Sequence, residues 1–142
     1  MEELQEKSLK HEPARIEIGN AVTPFEELDD EVKLAIHCAA DKKATDIRVL
    51  DLREIASFAE FFVLASGNNQ RQVQAVSDEI NERLKKDLGS RPVRIEGYSS
   101  AEWLLMDYGD FIVHIFDKDA RDFYDLERLW RDARRVEVPA DI

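Results

Sequence analysis

Apolar positions recur along this chain with two different periods, and the switches between them mark out the elements. Phe25, Leu28, Val32, Ala35, Ile36 and Ala39 follow helical spacing and predict a helix to about Lys42. Thr23-Pro24-Phe25-Glu26 reads as its start, with Thr23 as cap, Pro24 at the first helical position and Glu26 completing a capping box. Residues 46–52 and 60–65 then read as strands, the second (Phe61-Phe62-Val63-Leu64) buried on both faces. A long helix over about 69–88 carries the stripe Val73, Val76, Ile80, Leu84 and Leu88 and stops at Gly89. Residues 93–97, 103–107 and 110–116 read as three more strands, the last two joined by a turn containing Tyr108-Gly109. Asp117 can cap a final helix running to about Arg134. The predicted fold class is α+β, a mixed sheet of about five strands with three helices, because consecutive strands do not fit strict βαβ alternation. Residues 1–22 read as a flexible acidic tail, 23–136 as one domain and 137–142 as a C-terminal tail.

The 103–116 hairpin carries the most informative pattern. If Asp107 and Asp110 flank a tight turn, 105 pairs with 112 and 103 with 114. Leu104, Met106, Phe111, Val113 and Ile115 then share one purely apolar face. Trp103, Leu105, Asp107, Asp110, Ile112, His114 and Phe116 share the other. Large apolar groups mixed with Asp and His suit a contact surface, since interfaces favour aromatic anchors ringed by polar groups. The competing reading is a sheet covered by helices on both sides, with Trp103 as core. A one-residue slip in the turn would exchange the faces.

Composition narrows the function. The net charge is −11, and residues 1–31 hold ten acids against three bases. Nucleic-acid binding needs a basic footprint, and the whole chain offers none. An acidic protein is drawn to basic proteins instead. No apolar run approaches the roughly 18–20 residues needed to span a bilayer. The acidic start resembles neither a secretory signal nor a transit peptide, so a cytoplasmic location is expected. With Cys38 the single cysteine, neither a disulfide framework nor a multi-Cys metal site can form within the chain.

Candidate chemistry is sparse. Ser66-Gly67-Asn68 ahead of a helix could cradle a phosphate, but Ser66 and Asn68 serve equally as helix caps. His37 and Cys38 diverge by about 100° on a helix and do not converge on a metal, which leaves core or boundary packing for both. His114 suits an orienting hydrogen bond better than acid–base work. Arg121, Arg128 and Arg135 recur every seven residues, joined by Arg131 and Arg134. They read as a solvated helix face. Nothing in the pattern calls for a cofactor or a metal.

Several stretches together resemble one family. They are Val49-Leu50-Asp51-Leu52, Phe61-Phe62-Val63-Leu64-Ala65-Ser66-Gly67, Arg71-Gln72-Val73-Gln74-Ala75 and Glu96-Gly97-Tyr98. Trp103-Leu104-Leu105-Met106-Asp107-Tyr108-Gly109-Asp110, Val113-His114-Ile115-Phe116 and Phe123-Tyr124-Asp125-Leu126-Glu127-Arg128-Leu129-Trp130 follow in the same order. The chain resembles the ribosome-silencing factor, or Iojap-related, family over roughly residues 30–134. The resemblance implies a non-enzymatic translation regulator that binds the large ribosomal subunit at its protein number fourteen and blocks joining of the small subunit when nutrients are short. It also implies a nucleotidyltransferase-like fold without the catalytic motif, and a partner-contacting segment at 103–110. The expected partner-binding residues are therefore Trp103, Leu105, Asp107, Tyr108, Asp110, Ile112, His114 and Phe116. A homodimer through the same face and a minor ribosomal RNA contact are further expectations. The alternative is a nucleotidyltransferase-like enzyme using the Ser66–Asn68 turn, which would need a carboxylate pair for magnesium.

Overall fold

The computed structural model describes residues 1–13 and 22–142. Helix α1 (Glu3–Ser8) precedes strand β1 (Val22–Thr23) and a 3₁₀ turn, Phe25–Glu27. Helix α2 (Asp30–Asp41) leads into β2 (Thr45–Asp51) and β3 (Phe61–Gly67), and the long α3 (Gln70–Leu88) follows. Then come β4 (Arg94–Glu96), β5 (Trp103–Asp107) and β6 (Phe111–Asp117). Short helices α4 (Lys118–Tyr124) and α5 (Leu126–Leu129) lead to β7 (Arg134–Val136).

The α+β class holds, but the sheet has seven strands in the order β1-β7-β2-β3-β6-β5-β4, not about five. The central β3–β6 pair is parallel, Phe61 opposite Phe111, while β2 and β5 flank it antiparallel. The two additional strands, β1 and β7, pair with each other in parallel, and β7 also pairs with β2. They are two and three residues long, too short to carry an alternation.

Alternation decides which side each strand residue faces. In β3, Phe61, Val63 and Ala65 join the core under α2 and α3, while Phe62 and Leu64 join a second core on the opposite side. The first core takes Val32 and Ile36 from α2 and Val73, Val76, Ile80 and Leu84 from α3. The second takes Leu126 and Trp130, with Leu4 and Leu9 packed against it. Both faces of the sheet are therefore covered. Helix α3 is built as its sequence predicts: Asn69 accepts a hydrogen bond from the Gln72 backbone N–H at 2.8 Å, and Gly89 ends it at φ 64°. No helix among the described residues is long and apolar enough to cross a membrane.

Three expectations fail for identifiable reasons. Thr23 caps no helix: it lies in β1 and its hydroxyl donates to Asp51 at 2.6 Å, so α2 begins only at Asp30. The single helix expected over 117–134 is broken at Asp125, which sits in the left-handed region at φ 47°, a conformation Asp tolerates better than most residues. Phe123, placed in that helix's apolar stripe, is 80% exposed as a result. Finally, the stretch read as a tail over 1–22 contains α1, with Gln5 and Ser8 buried, and Val22 of β1. Its residues 14–21 lie outside the described residues.

Candidate docking face

The β5–β6 hairpin turns one residue later than expected, at Gly109-Asp110 in place of Tyr108-Gly109. Tyr108 donates its N–H to the Phe111 carbonyl at 3.0 Å, Gly109 takes φ 88°, and the Gly109 N–H donates to the Asp107 carboxylate at 2.8 Å. Trp103 then pairs with Phe116 and Leu105 with His114, a register displaced by two from the expected one. A shift of two preserves the faces, so the division into two sets stands. Leu104, Met106, Phe111, Val113 and Ile115 meet α2 and α3, and Trp103, Leu105, Ile112 and Phe116 meet the second core.

The exposure expected for that second set does not hold. Trp103 is 3% exposed, and Leu105, Ile112, His114 and Phe116 are buried. Tyr124 of α4 lies 4.6 Å from the Trp103 ring and Phe116 stacks at 5.3 Å, so the indole is a core side chain. Its N–H donates to Nδ1 of His114 at 3.0 Å across the diagonal of the strand pair. Accepting at Nδ1 leaves the imidazole neutral with its proton on Nε2. Burial pushes the His114 pKa down to about 3. Nε2 itself has no hydrogen-bond partner among the described residues, and the ring meets Phe62 edge-on at 4.4 Å. The orienting bond expected of His114 exists, but inside the core.

The accessible part of the hairpin is its turn. Asp107 is half-buried, Gly109 and Asp110 are exposed, and Tyr108 is nearly covered, stacked on Phe111 at 4.9 Å. Burial, with the charge of Cys38 and Glu31, pushes the Tyr108 phenol well above its ordinary value. Two neighbours extend the turn. Val93 is 69% exposed and donates its N–H to the Asp107 carbonyl at 2.7 Å, and exposed Glu60 donates its N–H to the Asp110 carbonyl at 2.6 Å. The result is an acidic knob, Glu60, Asp107 and Asp110, beside one exposed aliphatic side chain. Periodicity could not have found Val93 or Glu60, since both act through backbone bonds to the turn.

The other candidate positions resolve into packing. Ser66 Oγ accepts from buried Arg121 at 2.9 Å, and a Cβ on Gly67 would stand 2.9 Å from Val73 Cγ2. The Ser66–Asn68 turn thus seats α3 against β3. Asp78 accepts from the Tyr98 hydroxyl at 3.0 Å, and no group of three or more metal-ligating side chains forms among the described residues. Cys38 is buried, and desolvation raises its thiol to about 11. His37 is exposed on the helix's outer side, not at its packed boundary. The expected arginine face does not form, because the helix stops at Leu129 and Arg134 and Arg135 lie in β7. Arg121 and Arg134 are taken up by Glu127 at 3.1 Å and Glu54 at 2.9 Å.

The described residues thus form a doubly covered mixed sheet that presents an acidic hairpin turn. Residues 25–142 match the family model described as ribosomal silencing factor during starvation. The chain belongs to this ribosomal silencing factor, or Iojap, family. It is 41% identical over 107 residues to the ribosomal silencing factor RsfS of Halalkalibacterium halodurans, covering 75% of this chain and 91% of that one. It is 33% identical over 130 residues to the chloroplastic Iojap protein of Zea mays, covering 87% of this chain and 56% of that one. A crystal structure of a Chromobacterium violaceum protein superposes with a TM-score of 0.71 at 36% identity, covering 80% of this chain and 91% of that chain.

Proposed function

We propose that this protein docks on the large ribosomal subunit at its protein number fourteen and thereby blocks joining of the small subunit, lowering translation when nutrients are short. Family membership supports the ribosomal target. The observation that carries the docking mode is the acidic turn at 107–110, raised beside Val93 and fixed by the fully buried hairpin beneath it. A basic protein surface complements such a turn, and charge of this kind mainly steers encounter and sets register. The buried residues Trp103, Leu105, Ile112, His114 and Phe116 act here by holding the turn's geometry. The ready-made, rigid presentation lowers the ordering cost of binding.

Co-sedimentation with purified large subunits tests this directly, followed by addition of small subunits and separation of free from joined particles. The chain should pellet with large subunits alone and reduce the joined fraction in proportion to occupancy. Absence of binding to large subunits at low salt would overturn the proposal.

A further inference from the structure

Helix α1 has only six residues, far below the roughly 12–15 at which an isolated helix becomes marginal in water. Its helicity therefore has to come from what it touches. It lies outside residues 25–142, the span matched by the family model, while every group that receives it lies inside that span.

The receiving groove meets both ends of the helix. At the N-terminal end the Glu96 carboxylate accepts from the Leu4 and Gln5 backbone N–H groups, at 3.2 and 3.1 Å. The Gly97 N–H donates to the Glu2 carboxylate at 2.7 Å, and the Gln5 side-chain amide donates to the Trp103 carbonyl at 2.8 Å. At the C-terminal end the Trp130 indole N–H donates to the Ser8 carbonyl at 2.8 Å. Beyond it His11 stacks on Trp130 at 3.8 Å, with Nε2 2.8 Å from the Asp132 carboxylate. Leu4 and Leu9 pack on the second core between these ends, and the Lys7 ammonium lies 5.2 Å from the centre of the Phe58 ring. Glu96 is only 3% exposed beneath the helix, and each of its oxygens accepts from α1, with the Arg94 guanidinium 3.7 Å from one of them.

Such an arrangement reads a ligand by length and sequence. Glu96 and the Trp130 N–H bracket residues 4–8 through backbone bonds, while selection among side chains falls on Glu2 and Gln5 through their polar partners and on Leu4 and Leu9 through the second core. The glycine is required as well: Gly97 has φ 73°, and a Cβ there would fall within 2.9 Å of the Gln5 amide nitrogen as well as against the Trp103 carbonyl. We propose that the groove between β4 and Trp130 is a binding site for a short acidic amphipathic helix. Residues 2–11 of this chain are its built-in ligand, docked as a detachable strap that folds as it binds. Segments of this kind open at a small fraction of the global unfolding free energy.

The test uses the full-length chain. Leu4→Asp combined with Gln5→Ala detaches the strap while leaving the groove intact, and a fluorescein-labelled peptide of residues 1–13 is then titrated against it. The peptide should bind the double variant about tenfold or more tighter than the unaltered chain, whose own strap competes at high effective concentration. Equal binding to both proteins, or no saturable binding to a variant that still melts cooperatively, would overturn the proposal. Hydrogen exchange on the unaltered chain decides the matter if the variant does not fold. The Leu4 and Gln5 amides should exchange about 100-fold or more faster than those of 61–65 in β3. Exchange of both sets at one common rate would show a strap that never leaves on its own.

Discussion

The Trp103–His114 bond makes an arithmetic prediction. Trp103→Phe keeps an aromatic ring in the core but removes the N–H that His114 Nδ1 accepts, leaving a fully buried acceptor unpaired. Orphaning such a group costs about 1–3 kcal/mol, and the smaller ring adds about 1 kcal/mol. His114→Phe orphans the indole N–H instead, but removes an imidazole whose Nε2 already lacks a partner, so its net cost should be about 1–2 kcal/mol. The double variant leaves neither orphan, and its cost should fall back toward that of the smaller ring alone. The cycle should therefore show a coupling of about 1–3 kcal/mol in urea unfolding at pH 7, read from midpoints at constant m. Single costs that simply add, within about 0.5 kcal/mol, would refute the argument. The same histidine sets a pH dependence. Its folded pKa lies near 3 against about 6.5 unfolded, so the unfolded chain binds more protons between those values. Its contribution is intact above pH 6.5 and declines as pH falls, by up to about 1.4 kcal/mol per unit. The His114→Phe chain should lose that slope between pH 6.5 and 4.5, above the range where most carboxylates titrate.

Replacing exposed Glu60 and Asp110 together by Lys should weaken large-subunit binding by about tenfold or more at low salt, with the melting temperature nearly unchanged; a parallel fall in both would show a structural role instead. Asp51→Asn should destabilise by about 1–2 kcal/mol at pH 7. Burial would raise the Asp51 carboxyl, but its bonds to Arg53 and Thr23 outweigh that and hold it below the usual value. The difference between the two chains should accordingly persist at neutral pH and close only as pH falls below about 4, in urea midpoints. Phe123→Ser should shift stability by no more than about 0.5 kcal/mol, since that ring is largely exposed.

How far the chain could be read in advance depended on element length. Long α3 and the four longer strands, β2, β3, β5 and β6, carry enough repeats of their period to be placed, and the hairpin faces survived a wrong turn because the error was an even number of residues. What escaped was short or non-local. β1 and β7 are defined by pairing with each other, and Asp125 breaks a helix whose apolar spacing continues past it. The burial of Trp103 depends on α4, whose Tyr124 reaches it across the sheet, and on α1, which is too brief for any periodic signature. An amphipathic strand pair looks the same whether its second face meets water or three short helices.

The position of β7 also sets the order in which this molecule can be completed. It lies between β1 and β2, so the first strand of the domain has no neighbour until the last one arrives. A nascent or truncated chain ending near Leu129 would carry the Leu50–Asp51 end of β2 as an open edge, with β1 left unpaired. Open edges recruit other chains, so such a fragment should aggregate where the finished protein does not. The last strand is thus the closing step that makes the fold self-limiting.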